Sequence, residues 1–105
     1  MAEHEAKFRI GQVVHHLRFD YIGVVYDIDP VFAGTEEWYE QVARSRPPKD
    51  RPWYHVLVDG APHTTYVAER HLEPADPPRP IAHELADALF AGFDGERYRP
   101  RRRMN

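Results

Sequence analysis

Apolar residues along the chain fall into short blocks separated by polar, Gly- and Pro-containing breaks. The densest block is Tyr21–Pro30, Tyr-Ile-Gly-Val-Val-Tyr-Asp-Ile-Asp-Pro, where only Asp27 interrupts β-branched, aromatic and Gly residues up to Ile28. Such side chains fit a pleated, half-buried surface, so the block reads as a strand. Gly23 inside it marks a bulge, or a place where another backbone comes close. Asp29-Pro30 ends it, because proline donates no ladder hydrogen bond and keeps its predecessor extended. Period-2 alternation puts Val24, Tyr26 and Ile28 on the core face and Val25, Asp27 and Asp29 on the other, with Val25 partly covered. Upstream, Gln12–Arg18 reads as the first arm of a hairpin that turns at Arg18–Asp20, with Ile10, Val14 and His16 on one face. Trp53–Asp59 is the natural third strand. Asp59-Gly60 signals the turn into a fourth strand, Thr64–Ala68. Glu69–Leu72 is a short turn, with Leu72 closing the core.

Helical period appears twice. Thr35 can cap a helix whose first turn holds Glu36 and Glu37, with Trp38, Tyr39 and Val42 as its apolar stripe through about Arg44. Ser45–Pro52 breaks it. After the Pro-rich stretch Pro74–Pro80, Ile81–Phe90 reads as a second helix, with Ile81, Leu85 and Leu89 in one stripe and Gly92 and Gly95 ending it. Short strands with tight turns predict a mainly β fold, a small antiparallel barrel of about five strands with one or two short peripheral helices. The alternative is an open sheet covered by the second helix. The expected division is 8–74 for the barrel, 75–94 for the linker and C-terminal helix, and 95–105 for a basic disordered tail.

Composition narrows the chemistry. The chain has 105 residues and no cysteine, which excludes disulfides, thiolate metal sites and thiol nucleophiles. The polar N-terminus lacks the apolar core of a signal peptide, and no apolar run approaches the ~20 residues of a membrane helix. Charge is uneven. Residues 1–94 carry nine Lys/Arg against 16 Asp/Glu, a net −7, while residues 95–105 carry five Arg against one Glu, a net +4. The body is acidic, so any broad phosphate contact would fall to the tail.

Each candidate site has a plain structural counterpart. Asp27 and Asp29 share a strand face as an acid/base pair or metal site would, but they also flank the turn before Pro30, where aspartates accept backbone N–H groups, and that reading is preferred. His15, His16, His55 and His63 lie on or beside neighbouring strands. Without carboxylate or Cys at ligand spacing they read as structural or interface histidines rather than metal ligands. Ser45 is the only serine, set in a Pro-rich loop with no nucleophile elbow or phosphate loop, so no catalytic residue is assigned. Among Tyr21, Tyr26, Trp53, Tyr54 and Tyr66, most are expected in the core. Trp53, beside Pro52 at a strand start, is the one most open to exposure; it and His55 are the candidate partner contacts, with core packing the preferred reading for Trp53. Arg97, Arg99, Arg101, Arg102 and Arg103 could meet phosphate or an acidic surface, though they read no bases by themselves; the preferred reading is a solubilising charged end.

Taken in order, Gly11-Gln12-Val13-Val14-His15-His16, the Tyr21–Pro30 block, Pro52-Trp53-Tyr54-His55-Val56-Leu57-Val58 and Thr65-Tyr66-Val67-Ala68-Glu69 resemble the HspQ family, also called the YccV-like or hemimethylated-DNA-binding domain family. Within them Gly11, His16, Gly23, Asp27, Asp29, Pro30 and Tyr54 form the structural signature. The segment Phe32–Trp38 is similar to the longer connector of one branch. The resemblance runs from about Phe8 to Leu72. It implies an SH3-like barrel, no cofactor or metal, and a regulatory role in a bacterial cytoplasm. Members are described as heat-shock proteins that bind hemimethylated DNA and that tune degradation by the Lon protease, including that of the replication initiator. It also implies self-association, as a trimer. The acidic body favours the protein partner, Lon and its substrates, over hemimethylated duplex DNA as the alternative.

Overall fold

A computed structural model of the chain describes residues 5–101. Strands β1 (Val13–His16), β2 (Ile22–Asp29), β3 (Trp53–Val58), β4 (Thr64–Ala68) and β5 (Leu72–Pro74) form one antiparallel sheet in the order β4-β3-β2-β1-β5. β4 and β5 are consecutive in the chain yet lie at opposite edges, joined only by a 3-10 turn, Glu69–His71. In a flat sheet those edges would stand about 19 Å apart, four spacings of roughly 4.8 Å. The four steps from Ala68 to Leu72 reach at most about 14 Å. The sheet therefore curls, giving the mainly β, barrel-like architecture expected. Among the described residues no ladder joins β4 to β5. The Tyr21 and Thr65 hydroxyls instead meet across the curl at 2.7 Å.

The register corrects the expected faces of β2. Val25 pairs with Val56 and Asp27 with His55, so Tyr26 is an extra residue, a β-bulge. Past the bulge the alternation is reset. Ile28 joins Val25, Val14, Tyr54, Val56, Val67 and Leu72 in one core, while Val24 and Tyr26 join Val13 and Leu57 in another. Val24 and Val25 are both fully buried, so neither face of β2 is a solvent face. Gly23 is not the bulge. It is the close backbone approach, where an added Cβ would stand 2.5 Å from the Leu57 carbonyl oxygen and from Val56 Cγ1.

Helix α1 (Glu36–Val42) begins as the sequence implies, with Thr35 Oγ1 accepting from Trp38 N–H at 3.1 Å. Its Tyr39 is buried, but Val42 is 55% exposed, so the apolar stripe does not all enter the core.

The second helix is far shorter than expected, α2 spanning only Ala86–Leu89. A helix from Ile81 would need the carbonyls of Ile81 and Ala82 to accept from residues four further on. Those carbonyls accept instead from the Tyr98 hydroxyl at 3.3 Å and from Gly60 N–H at 2.8 Å. Beyond α2 the chain forms a hairpin, β6 (Phe90–Phe93) against β7 (Tyr98–Pro100). Asp94 Oδ1 closes it by accepting from Glu96 and Arg97 N–H, both at 2.9 Å. The stretch expected as a disordered tail is thus folded through Arg101, whose N–H reaches the Leu89 carbonyl. Tyr98 is buried against Phe90 and Phe93 and completes the second core.

Gly11 ties this hairpin to the sheet. Its N–H bonds the Val25 carbonyl at 2.7 Å and its carbonyl accepts from Tyr98 N–H at 2.8 Å. Its φ of +94° favours glycine, and a Cβ there would collide with the Tyr98 carbonyl.

This packing sets three stability outcomes. Val56→Ala is expected to cost about 1–3 kcal/mol by reduced burial and cavity formation, read from denaturant midpoints. Gly23→Val should yield little soluble folded protein. Gly11→Ala should release β7 first, seen as faster hydrogen exchange at the Tyr98 amide than at Val25. Equal protection at both amides would refute the tie.

Candidate functional site

The most exposed large apolar side chains, Phe19 and Val42, border one place. The β1–β2 turn carries Phe19, a ring 70% exposed, and α1 carries Val42 and half-buried Trp38. Between them and β4 lie two contiguous hollows of about 260 and 370 Å³ that share His16, Phe19, Trp38, Val42, Tyr66 and Val67. A Phe in a tight turn between Arg18 and Asp20 has no core to enter, and that was the signal available in the sequence.

Trp53 is not the exposed aromatic. It is 1% exposed, with its indole N–H on the Pro48 carbonyl at 3.0 Å. Its ring meets Phe32 at 4.9 Å and Tyr66 at 5.2 Å, so it underlies the hollow rather than standing out from it. A Trp after Pro52 at a strand start looked open to exposure because the sequence does not show α1 and Phe32 folding over it.

Beside it, Asp29 Oδ2 accepts from the Tyr66 hydroxyl at 2.7 Å and meets His55 Nε2 at 3.0 Å. The Tyr66 hydroxyl also accepts from Ala33 N–H at 2.9 Å. Burial pushes the Asp29 carboxyl up, but these hydrogen bonds outweigh it and hold the group below the usual range. Asp27 Oδ1 accepts from Ile28 N–H at 2.9 Å. Asp27, Asp29 and His55 stand close enough together for ligands, and the hydrogen bonds of Asp29 and Tyr66 join β2 to β3 and β4, and Tyr66 to the connector after Pro30. Tyr54 is fully buried, and its hydroxyl donates to Glu69 at 2.5 Å.

The two adjacent histidines of β1 behave oppositely. His15 lies between Asp20 at 2.6 Å and Glu73 at 2.8 Å, and both hydrogen bonds raise its pKa. His16 is buried, and its Nδ1 accepts from the N–H groups of Arg18 and Phe19, each at 3.1 Å. Burial first, then the charges of His71, Arg18 and His15, lower it to about 4. A neutral His16 thus fixes the turn that presents Phe19, whose ring stacks on it at 4.9 Å.

Ser45 has a neighbour that the sequence did not reveal, His71 Nε2 at 3.2 Å. Burial and the nearby Arg70 and Arg18 lower His71, which makes it a poor base. Among the described residues no carboxylate orients it by a hydrogen bond.

Of the expected basic residues, Arg97, Arg99 and Arg101 stand on or beside β7. Arg99 faces Asp94 at 3.5 Å, and Arg101 Nε donates to the Asp87 carbonyl at 2.8 Å. Arg102 and Arg103 lie outside the described residues. The groove and the arginine hairpin are therefore separate features rather than one site.

A family model described as hemimethylated DNA-binding protein YccV like matches residues 6–97. The chain belongs to the YccV-like family. The YccV-like match runs well past β5, through α2 and β6 to the residue before β7, beyond the Leu72 limit read from motifs. Among the described residues no helix is long and apolar enough to cross a membrane.

Between pH 6.5 and about 4, the unfolded chain takes up a proton that folded His16 refuses, so this group's contribution to stability falls as pH falls across that window. Burial acts on His71 in the same direction, whereas His15 acts in the opposite one. Asn at position 16 keeps an acceptor near the Nδ1 position and does not titrate. His16→Asn should therefore flatten the acid-side loss of melting temperature relative to wild type. Parallel melting curves across that range would show that His16 is not the group responsible.

Proposed function

We propose that this YccV-like protein is a non-enzymatic regulatory adaptor of the heat-shock response, acting in the cytoplasm to modulate degradation of client proteins by the Lon protease. The observation that carries this reading is the exposed apolar groove around Phe19, Trp38 and Val42 on a body whose residues 1–94 sum to −7. A contiguous apolar surface beside a strand edge fits a polypeptide, and a duplex binder normally presents a basic face on its folded body. His55 borders one hollow and Trp53 supports the groove from beneath. Self-association, as a trimer, belongs to the same reading through the family resemblance.

A second reading, binding of hemimethylated duplex DNA, is favoured by Arg97, Arg99 and Arg101 on a hairpin that holds their backbone in place, with Arg102 and Arg103 following. The family's description names that ligand. Deleting the chain from Gly95 would remove buried Tyr98, so charge substitution is the cleaner probe.

The deciding experiment compares two assays on the full chain. One is the rate at which purified Lon degrades the replication initiator with and without the protein. The other is binding to hemimethylated and fully methylated duplexes at two salt concentrations. The adaptor reading expects a change in Lon rate that survives replacing Arg99, Arg101, Arg102 and Arg103 by Gln. For any DNA binding, each arginine–phosphate pairing removed should take about 0.9 off the log–log salt slope. No effect on Lon, together with tight salt-dependent preference for hemimethylated duplex, would reverse the order of the two readings.

A further inference from the structure

We propose that the groove between β4, α1 and the β1–β2 turn seats an extended apolar peptide with acidic flanks, added as a further strand to the outer edge of β4. The proposal deepens the adaptor reading, on which it rests for the role of the bound peptide.

β4 is the terminal strand of the sheet, and among the described residues no backbone hydrogen bond engages its outer side. Such an edge presents a row of N–H and C=O groups ready to pair with another chain. Thr64, Thr65, Tyr66 and Val67 of this strand line the hollow directly, so a peptide filling the hollow runs alongside the edge. The opposite walls are apolar and accessible. Phe19 is 70% exposed and Val42 55%, and Trp38 stands between the hollows. An added strand would turn alternate side chains into this apolar space and the others outward.

Charge sets the peptide's flanks. The lining of the two hollows contains Arg18 and Arg44 and no carboxylate, in a body that is otherwise acidic. Neither arginine makes an ion pair among the described residues. Two unpaired guanidinium groups suit carboxylates at the peptide ends. They are too few to follow a nucleic-acid backbone, where several contacts are needed for useful affinity. The β-strand occupant is also favoured by His16, whose neutral ring holds the turn so that Phe19 forms one wall.

The test uses an eight-residue synthetic peptide, alternating Val and Thr in the middle with two Glu at each end, titrated against the full chain. Trp38 reports, since Trp53 is buried and the chain has only these two tryptophans. Saturable quenching or blue shift is expected. N-methylation at alternate peptide residues removes main-chain donors and should weaken binding about tenfold or more. Exchanging the Glu residues for Lys should weaken it by about the same factor. Phe19→Ala and Val42→Glu, both on exposed side chains, should each cost about tenfold with melting unchanged. Equal affinity for the N-methylated peptide overturns strand addition, and absence of binding to wild type overturns the groove. If Phe19→Ala instead abolishes self-association in sedimentation while wild type ignores the peptide, the groove is an interface between copies and the proposal is wrong. If Val42→Glu loses the peptide yet still tunes Lon, the groove is not the adaptor surface, although the adaptor reading stands. If wild type has no effect on Lon but binds the peptide as described, the adaptor reading fails and the groove is upheld.

Discussion

Val24 and Val25 are neighbours on one strand, and both are fully buried. Successive strand residues point to opposite faces, so this pair requires two cores, one on each side of the sheet. Inside the curl, Val25 packs with Phe8, Val14, Tyr54, Val56, Val67 and Leu72. Outside it, Val24 packs with Val13 and Leu57 under a lid of Ala75, Ala86, Phe90 and Tyr98. A barrel this small cannot leave its outer face apolar in water, and the C-terminal segment covers it. Gly11, bonded to both β2 and β7, locks that cover in place.

Double-sided burial also determines where recognition can occur. Covered faces leave edges, turns and the hairpin tip as the places where chemistry remains available. The β4 edge and the Phe19 turn provide an apolar, weakly basic groove. The β6–β7 hairpin provides Arg99 within its ladder and Arg97 and Arg101 at its flanks, their backbone bonded to Asp94 and Leu89. One feature suits a polypeptide and the other a polyanion. Their separation gives the two functional readings independent physical bases.

The polar network fits the same logic. Asp29 on β2 bonds both His55 on β3 and Tyr66 on β4, across three adjacent strands. His16, next to solvent-facing His15, is kept neutral by burial and pins the turn through its ring nitrogen. These groups resemble reactive sites when read as residue types. Of them, His16 and Tyr66 accept from backbone N–H groups, and the other contacts join side chains to one another.

Strands β1 to β4 were legible in the sequence, because β-branched runs bounded by Asp-Pro and Asp-Gly are strong local signals, whereas β5, read as a turn, was not. The Thr35 cap was legible for the same reason, and Gly23 was legible as either a bulge or a close approach, of which the structure shows the second. So was the family, through motif order. The bulge at Tyr26 was not, since alternation predicts faces only while the register is unbroken. Nor was the fate of Ile81–Phe90, where helical period was overridden once the carbonyls of Ile81 and Ala82 found partners in the turn at Gly60 and in Tyr98. Asp94-Gly95 between aromatic residues was a hairpin signal of the same kind as Asp59-Gly60, masked by the surrounding arginines. Exposure of Phe19 and burial of Trp53 were decided by which segments came to lie over them. Local sequence determines what a stretch prefers, whereas burial depends on partners far along the chain, and only the tertiary structure brings them together.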